Sequence, residues 1–247
     1  NVQQSNLYVI GFSAALTIVL GGLLALAAVG LKPEQKKQED LFKKKSILGA
    51  VMEIGPEDDV LEIYNKEIRS YVVDANGQRV EEVDGEKVVA EDVEVGKEFK
   101  KAPDERIYPV FEKLKDDGSL QSYILPVYGN GLWDKIYGYV AVEKDANTLA
   151  GAVFDHIGET PGLGARITEK KFQERLVGKK IKDENGQLVG ITILKGEGTN
   201  PTSPHKIDGL SGATITSKGV QKMIYNYMDH YQPFFDNAKS NGGISLN

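Results

Sequence analysis

Apolar and polar positions follow three different rhythms along this chain. From Leu7 to Leu31 the run LYVIGFSAALTIVLGGLLALAAVGL contains no charged residue, and a helix needs about 20 apolar residues to cross a bilayer core. The run predicts a transmembrane anchor over residues 1–31. A cleaved signal peptide is the rival reading, because Ala25, Leu26 and Ala27 form an A-x-A site. Signal-peptide cores extend only about 7 to 15 residues, however, so a retained anchor is expected. From Pro33 to about Met52 the rhythm becomes a sparse helical stripe of Leu41, Ile47, Leu48 and Val51 among charges, which predicts a stalk or cap helix.

Beyond Glu57 the period shortens. Up to Ala102 the composition is acidic, and short apolar pieces such as YVVDANGQRV indicate strands and turns. The same Asp-x-Asn-Gly sequence returns in IKDENGQLVGITIL. Asn-Gly between alternating residues predicts a hairpin with both central residues at positive φ, and so short a match indicates two independent hairpins rather than a repeat. Between Ile107 and Leu194 the segments SYILPVYGNGLW, IYGYVAVEKD and TLAGAVFDHIGETPGLGARI read as antiparallel strands with Gly-rich loops. Near the C-terminus Val220, Met223, Ile224, Tyr227, Met228 and Tyr231 fall on one helical face, so a helix should start near Thr216 or Ser217, either of which is a candidate N-cap. With helices at both ends and no βαβ alternation, the expected class is α+β, mainly antiparallel, behind a single N-terminal transmembrane helix. The expected divisions are 1–31 (anchor), 32–105 (helical stalk and acidic β-rich part), 106–232 (main domain) and 233–247 (C-terminal tail).

Charge and composition remove several functional classes. A formal net charge of -6 over 247 residues, with no basic aromatic-interleaved patch, argues against nucleic acid as a partner. No cysteine is present, which excludes disulfides, iron–sulfur clusters and thiolate zinc sites. His156, His205 and His230 lack ligand spacing, so no metal site is expected. Lys32, Lys36, Lys37, Lys43, Lys44 and Lys45 follow the apolar run, and taken literally the positive-inside rule would place the large domain in the cytoplasm. A chain that opens on Asn is expected to have further residues upstream, whose charges would enter that count.

Three loops carry candidate chemistry. GNGLW (Gly129–Trp133) lacks the G-x-G-x-x-G register of a dinucleotide site, and its plain reading is a tight turn beside a buried Trp133. HIGETPGLG (His156–Gly164) brings backbone N–H groups within reach of a ligand, as a surface Gly-Pro turn also would. DGLSGATITS (Asp208–Ser217) stands directly before the C-terminal helix, with Thr214 just outside its expected start. An N-cap and a phosphate site are both compatible with that position. Asp208 would orient a hydroxyl, hold a cation during a modification step, or cap the turn.

DGLSGAT resembles the motif D-G-x-[ST]-G-A-T, on which a flavin transferase attaches FMN through a phosphoester to the last Thr, here Thr214. Together with LPVYGNGLW and GETPGLG, in that order behind one anchor, it resembles the C-subunit family of sodium-translocating NADH:quinone oxidoreductases. The flavin-bearing G-subunit of the Rnf electron-transport complex shares the attachment motif and an ETPGLG-like loop but matches GNGLW less well. A non-redox membrane-anchored binding module is the remaining alternative.

The resemblance implies an FMN-binding domain over 106–232 and an electron carrier that does not bind NADH itself. Such a carrier sits with five other subunits in a complex of the bacterial inner membrane, which passes electrons from NADH to ubiquinone while exporting Na+. It also implies covalent FMN on Thr214, making the chain a phosphoester-threonyl flavoprotein, with Asp208 and Gly209 in the flavinylation motif. Ser211, Gly212 and Ala213 would surround the phosphate. Glu159, Thr160, Pro161, Gly162, Leu163 and Gly164 would lie along the flavin, with Gly131, Leu132 and Trp133 near the ring. The soluble domain would lie on the outer, periplasmic face, against the literal charge count.

Overall fold

The structure, a computed structural model, describes residues 6–83 and 85–240. Residues 1–5 of the expected anchor and 241–247 of the expected tail lie outside the described residues. The chain divides into two compact units, 1–43 and 44–247.

The described residues of the first unit, 6–43, are helical, and the last turns of the same helix, from Lys44, belong to the second unit. Helix α1 runs without interruption over Asn6–Gly49, so the expected anchor and stalk are one helix, with Pro33 inside it. Proline costs its own helical hydrogen bond but already has a helical φ, and the Lys, Glu and Gln residues that follow favour helix. Glu34 and Lys37, one turn apart, pair at 2.7 Å. The stretch Leu7–Leu31 is apolar and long enough to cross a membrane, as judged by length and composition.

In the second unit, helix α2 (Val60–Glu67) begins at Asp59, whose Oδ1 accepts the amides of Leu61 and Glu62 at 3.0 Å each. It leads directly into β1 (Ile68–Val73), then β2 (Arg79–Val80) and a small ladder of β3 (Glu82–Val83) with β4 (Glu86–Lys87). A single-turn helix α3 (Val95–Glu98) precedes four longer strands, β5 (Tyr108–Leu114), β6 (Leu120–Asn130), β7 (Lys135–Glu143) and β8 (Leu149–His156). These build a six-stranded antiparallel sheet in the order β2-β1-β5-β6-β7-β8. Because β1 pairs with β5 along its whole length, the division expected at 105/106 falls inside one sheet, and the acidic segment is part of the main domain.

Side chains alternate across this sheet with period two. Tyr71, Tyr108, Val110, Tyr123, Leu125, Val127, Ile136 and Val140 enter the larger core; Val72, Phe111, Ile124 and Ala141 enter a second core with Ile47, Leu48 and Tyr64. Both faces are covered, which is why β6 reads as a nearly continuous buried run.

After β8 come helix α4 (Lys170–Gln173) and a short parallel ladder of β9 (Thr192–Ile193) with β10 (Lys206–Ile207). Helix α5 (Thr214–His230) then lays Val220, Met223, Ile224, Tyr227 and Met228 on the larger core, the face expected from spacing. It starts two to three residues earlier than expected. Residues 233–240 are no tail either: helix α6 (Gln232–Ser240) buries Phe234, Phe235 and Ala238. Asn237 Nδ2 donates to the carbonyls of Asn76 and Gly77, fastening α6 to the first Asn-Gly turn.

Both Asn-Gly turns form, but not as two-residue turns with two positive φ values. Gly77 and Gly186 have φ of 71° and 78°, whereas neither Asn76 nor Asn185 is in the positive-φ region. The preceding aspartate organises each turn instead: Asp74 Oδ1 accepts the amides of Asn76 and Gln78, and Asp183 Oδ1 those of Asn185 and Gln187. The first joins β1 to β2; the second closes on a single bridge, Lys182 to Leu188.

Candidate functional site

The three loops singled out in the sequence converge on one carboxylate. Glu159 follows β8 and is only 4% exposed. Its Oε1 accepts the amides of Leu132 and Trp133 at 2.8 and 2.9 Å, and its Oε2 accepts the Thr216 hydroxyl at 2.6 Å. Burial pushes the Glu159 pKa up, but the Thr216 hydroxyl and the Trp133 and Leu132 amides outweigh it and hold the group below the ordinary carboxylate range. Glu159 is therefore an anion wholly engaged by protein donors. It ties the β6–β7 loop to the first turn of α5.

This knot explains two glycines. A Cβ on Gly131 would run into Glu159 Oε1, and one on Gly164 would run into Glu159 Oε2 and Thr216 Oγ1. Helix α5 also approaches the end of β6 closely, since a Cβ on Gly219 would strike the Asn130 carbonyl. His156 has a structural part, its Nδ1 accepting the Glu159 amide at 3.2 Å.

Trp133 is not buried: it is 70% exposed, with its indole N–H on Thr160 Oγ1 at 3.1 Å. Leu132 and Leu163 are exposed as well, and Leu163 lies over Gly212, where a Cβ would meet its Cδ2. Pro161 and Gly162 are exposed; Gly162 and Gly212 have φ of 74° and 76°, and a Cβ on Gly162 would meet nothing. An indole and two leucines thus stand in solvent around backbone that carries little side chain.

The stretch Asp208–Thr214 lies between β10 and α5. Thr214 is the first residue of the helix, half-buried, and Ala213 at the N-cap position supplies no side-chain acceptor. Neither expected cap serves as one. Thr216 and Ser217 are buried in the first turn, where Thr216 binds Glu159 and Ser217 Oγ accepts the Leu210 amide at 3.1 Å. A 17-residue helix with no side-chain cap leaves N–H donors and a partial positive charge at its start. Ser211 and Gly212 beside it are exposed.

Asp208 caps the preceding loop. Its Oδ2 accepts the amides of Gly198 and Asn200 at 3.1 and 2.9 Å. Burial raises its pKa, but those amides and the Thr199 hydroxyl prevail and hold it low.

Sequence reasoning missed one group of residues altogether. Arg166 and Arg175 both pair with Glu197, whose carboxylate is held down to about 2 chiefly by hydrogen bonds from Arg166 and then Arg175. Arg175 also donates to the carbonyls of Asp208 and Gly209. These charges are far apart in sequence, and nothing in their spacing relates them.

The uncapped start of α5, half-buried Thr214 and the exposed Trp133, Leu132 and Leu163 suit a ligand with a phosphate at one end and a flat apolar ring at the other. A family model described as FMN-binding domain matches residues 131–229. The C-subunit of the Na(+)-translocating NADH-quinone reductase of Haemophilus ducreyi is 37% identical over 242 residues, 93% of each chain. Its counterpart in Neisseria meningitidis serogroup A is 33% identical over 92% of each. Among solved structures, the C-subunit from Parabacteroides distasonis superposes with a TM-score of 0.70 at 34% identity, covering 88% of this chain and 98% of that one. Shewanella oneidensis NqrC gives a TM-score of 0.70 at 29% identity, covering 83% and 99%.

Proposed function

Because the chain belongs to the C-subunit family of the Na(+)-translocating NADH-quinone reductase, we propose that it is an electron-transfer subunit of such a complex, with FMN esterified through its phosphate to the Thr214 hydroxyl. The observation that carries the assignment is the position of Thr214 as the first residue of a helix that no side chain caps. The N–H groups of that turn would hold the phosphate. The exposed backbone at Gly162, Ser211 and Gly212, with only the small, buried side chain of Ala213 before the helix, leaves a modifying enzyme room to reach the hydroxyl.

FMN supplies the redox chemistry; the chain holds it and sets its surroundings. Trp133, Leu132 and Leu163 offer apolar surface to the ring. Thr160, Pro161 and Gly162 border it, while Glu159, Gly131 and Gly164 act from beneath by fixing that loop. Asp208 and Gly209 shape the turn that presents Thr214. A covalent tether retains the cofactor without an enclosing pocket and leaves the ring open to partner carriers.

Membrane anchoring by α1, a periplasmic position of the soluble domain, an assembly of six subunits and the coupling of electron flow to Na+ export follow from the family resemblance. A reporter active only in the cytoplasm, fused after Asn247, should be silent; an active fusion refutes the external position. Attachment is tested by coexpression with a flavin transferase followed by a denaturing gel under ultraviolet light. The wild-type band should fluoresce, and the Thr214→Ala band should be dark.

A further inference from the structure

The charged cluster that the sequence did not reveal lies against the acceptor turn. Arg175 Nη1 donates to the carbonyls of Asp208 and Gly209 at 3.1 and 2.6 Å, and its Nη2 donates to Glu197 Oε1 at 2.9 Å. Arg166 engages both Glu197 oxygens, at 3.1 and 3.0 Å, and its Nε faces Glu169. Glu197 Oε2 in turn accepts the Ser211 amide at 3.4 Å. The Arg175 guanidinium rests 5.6 Å from the ring centre of Phe172, which is fully buried, so the arginine is fixed from below.

Glu197 is delivered by a sharply bent loop. Gly196 and Gly198 flank it with φ of 76° and 90°, a region open mainly to glycine. From the other side Asp208 reaches back to the Gly198 and Asn200 amides. The loop at 196–200 and the turn at 208–211 are therefore bonded in both directions, and the Leu210 amide is taken by Ser217 in α5. Thr214 is left at the end of a segment whose backbone is held at 208, 209, 210 and 211.

We infer that Arg175 and Glu197, with Arg166 behind them, are positioning residues for the modification of Thr214: they hold the acceptor turn in the shape a flavin transferase must engage. This rests on the reading of Thr214 as the attachment site. In that reaction the Thr214 Oγ–phosphorus bond forms, the phosphoanhydride bond of a flavin dinucleotide donor breaks, the nucleoside monophosphate leaves and the hydroxyl proton is released. These ion pairs are part-exposed and contribute modestly to stability, whereas small misplacements of a reacting group slow reactions steeply. None of the three residues lies in the six-stranded sheet, so fold and acceptor geometry are separable.

The test uses the full chain in detergent, a purified flavin transferase and flavin adenine dinucleotide, with labelling rates read from in-gel fluorescence. Circular dichroism and melting temperature are recorded alongside. Arg175→Gln should label about tenfold more slowly or worse while melting near the wild type, and Arg175→Lys should recover part of the rate. Glu197→Gln should also label slowly, and it decides the matter if Arg175→Gln does not fold. Labelling of folded Arg175→Gln, or failing that of folded Glu197→Gln, at the wild-type rate overturns the positioning role alone. An unlabelled wild type, or label that persists in Thr214→Ala, overturns the attachment reading and this inference with it.

Discussion

The Thr216 hydroxyl donates a 2.6 Å hydrogen bond to Glu159 across 57 positions of sequence, and the second carboxylate oxygen holds the amides of Leu132 and Trp133. One buried anion thus joins the β6–β7 loop, the loop after β8 and the start of α5. Glu159→Ala strands these donors, and a lost acceptor for buried donors costs about 3 kcal/mol in total. Glu159→Gln keeps an acceptor for the two amides, while the hydroxyl can turn to accept, so its loss should be about 1 kcal/mol. Thermal melting of the detergent-solubilised chain should rank wild type above Gln above Ala. Equal melting of all three would contradict the knot.

The glycines around that carboxylate make a sharper comparison. Gly162 has the strained φ of 74° but open space, whereas Gly164 has no positive φ and abuts Glu159 and Thr216. Gly162→Ala should cost about 1 kcal/mol through backbone strain. Gly164→Ala should cost about 2–3 kcal/mol by forcing the Glu159–Thr216 pair apart. A smaller shift in melting temperature for Gly164→Ala than for Gly162→Ala would count against this packing.

Acid should loosen the acceptor turn over a defined range. Glu197 falls from an ordinary 4.5 to about 2 in the folded chain, chiefly through hydrogen bonds from Arg166 and Arg175. A depressed folded value means that its contribution is complete above pH 4.5 and is lost as the pH falls towards 2. Melting temperature measured across that interval should fall more steeply for the wild type than for Glu197→Gln. Parallel curves would show that the carboxylate contributes nothing there.

Trp133 is the only tryptophan in the chain and is 70% exposed. Its emission should be that of a solvated indole in Thr214→Ala and strongly quenched once flavin is attached to the wild type. Unquenched emission from the labelled chain would remove Trp133 from the vicinity of the ring.

Much of this architecture was legible from periodicity. The apolar run, the strands β6 to β8 and the buried face of α5 each rest on local pattern, and each is present. Elsewhere longer-range forces decided. The start of α5 was placed late because its apolar stripe begins only at Val220 and Thr216 and Ser217 are good cap types; their hydroxyls are instead bonded to Glu159 and the Leu210 amide inside the first turn. The acidic segment looked separable because nothing local announces that β1 pairs with β5. Trp133 seemed a core residue by type, and only the loop geometry turns it outward. Arg166 and Arg175 stand 31 and 22 positions from Glu197, beyond the reach of any spacing rule.

The central claim is the bond at Thr214, and peptide mass reads it directly. Trypsin should release Ile207–Lys218 with the whole motif inside. From chain coexpressed with a flavin transferase, that peptide should be heavier by FMN less one water, with fragmentation placing the addition on Thr214. The unmodified mass in fully processed chain, or the addition on Ser211, Thr216 or Ser217, would contradict the account.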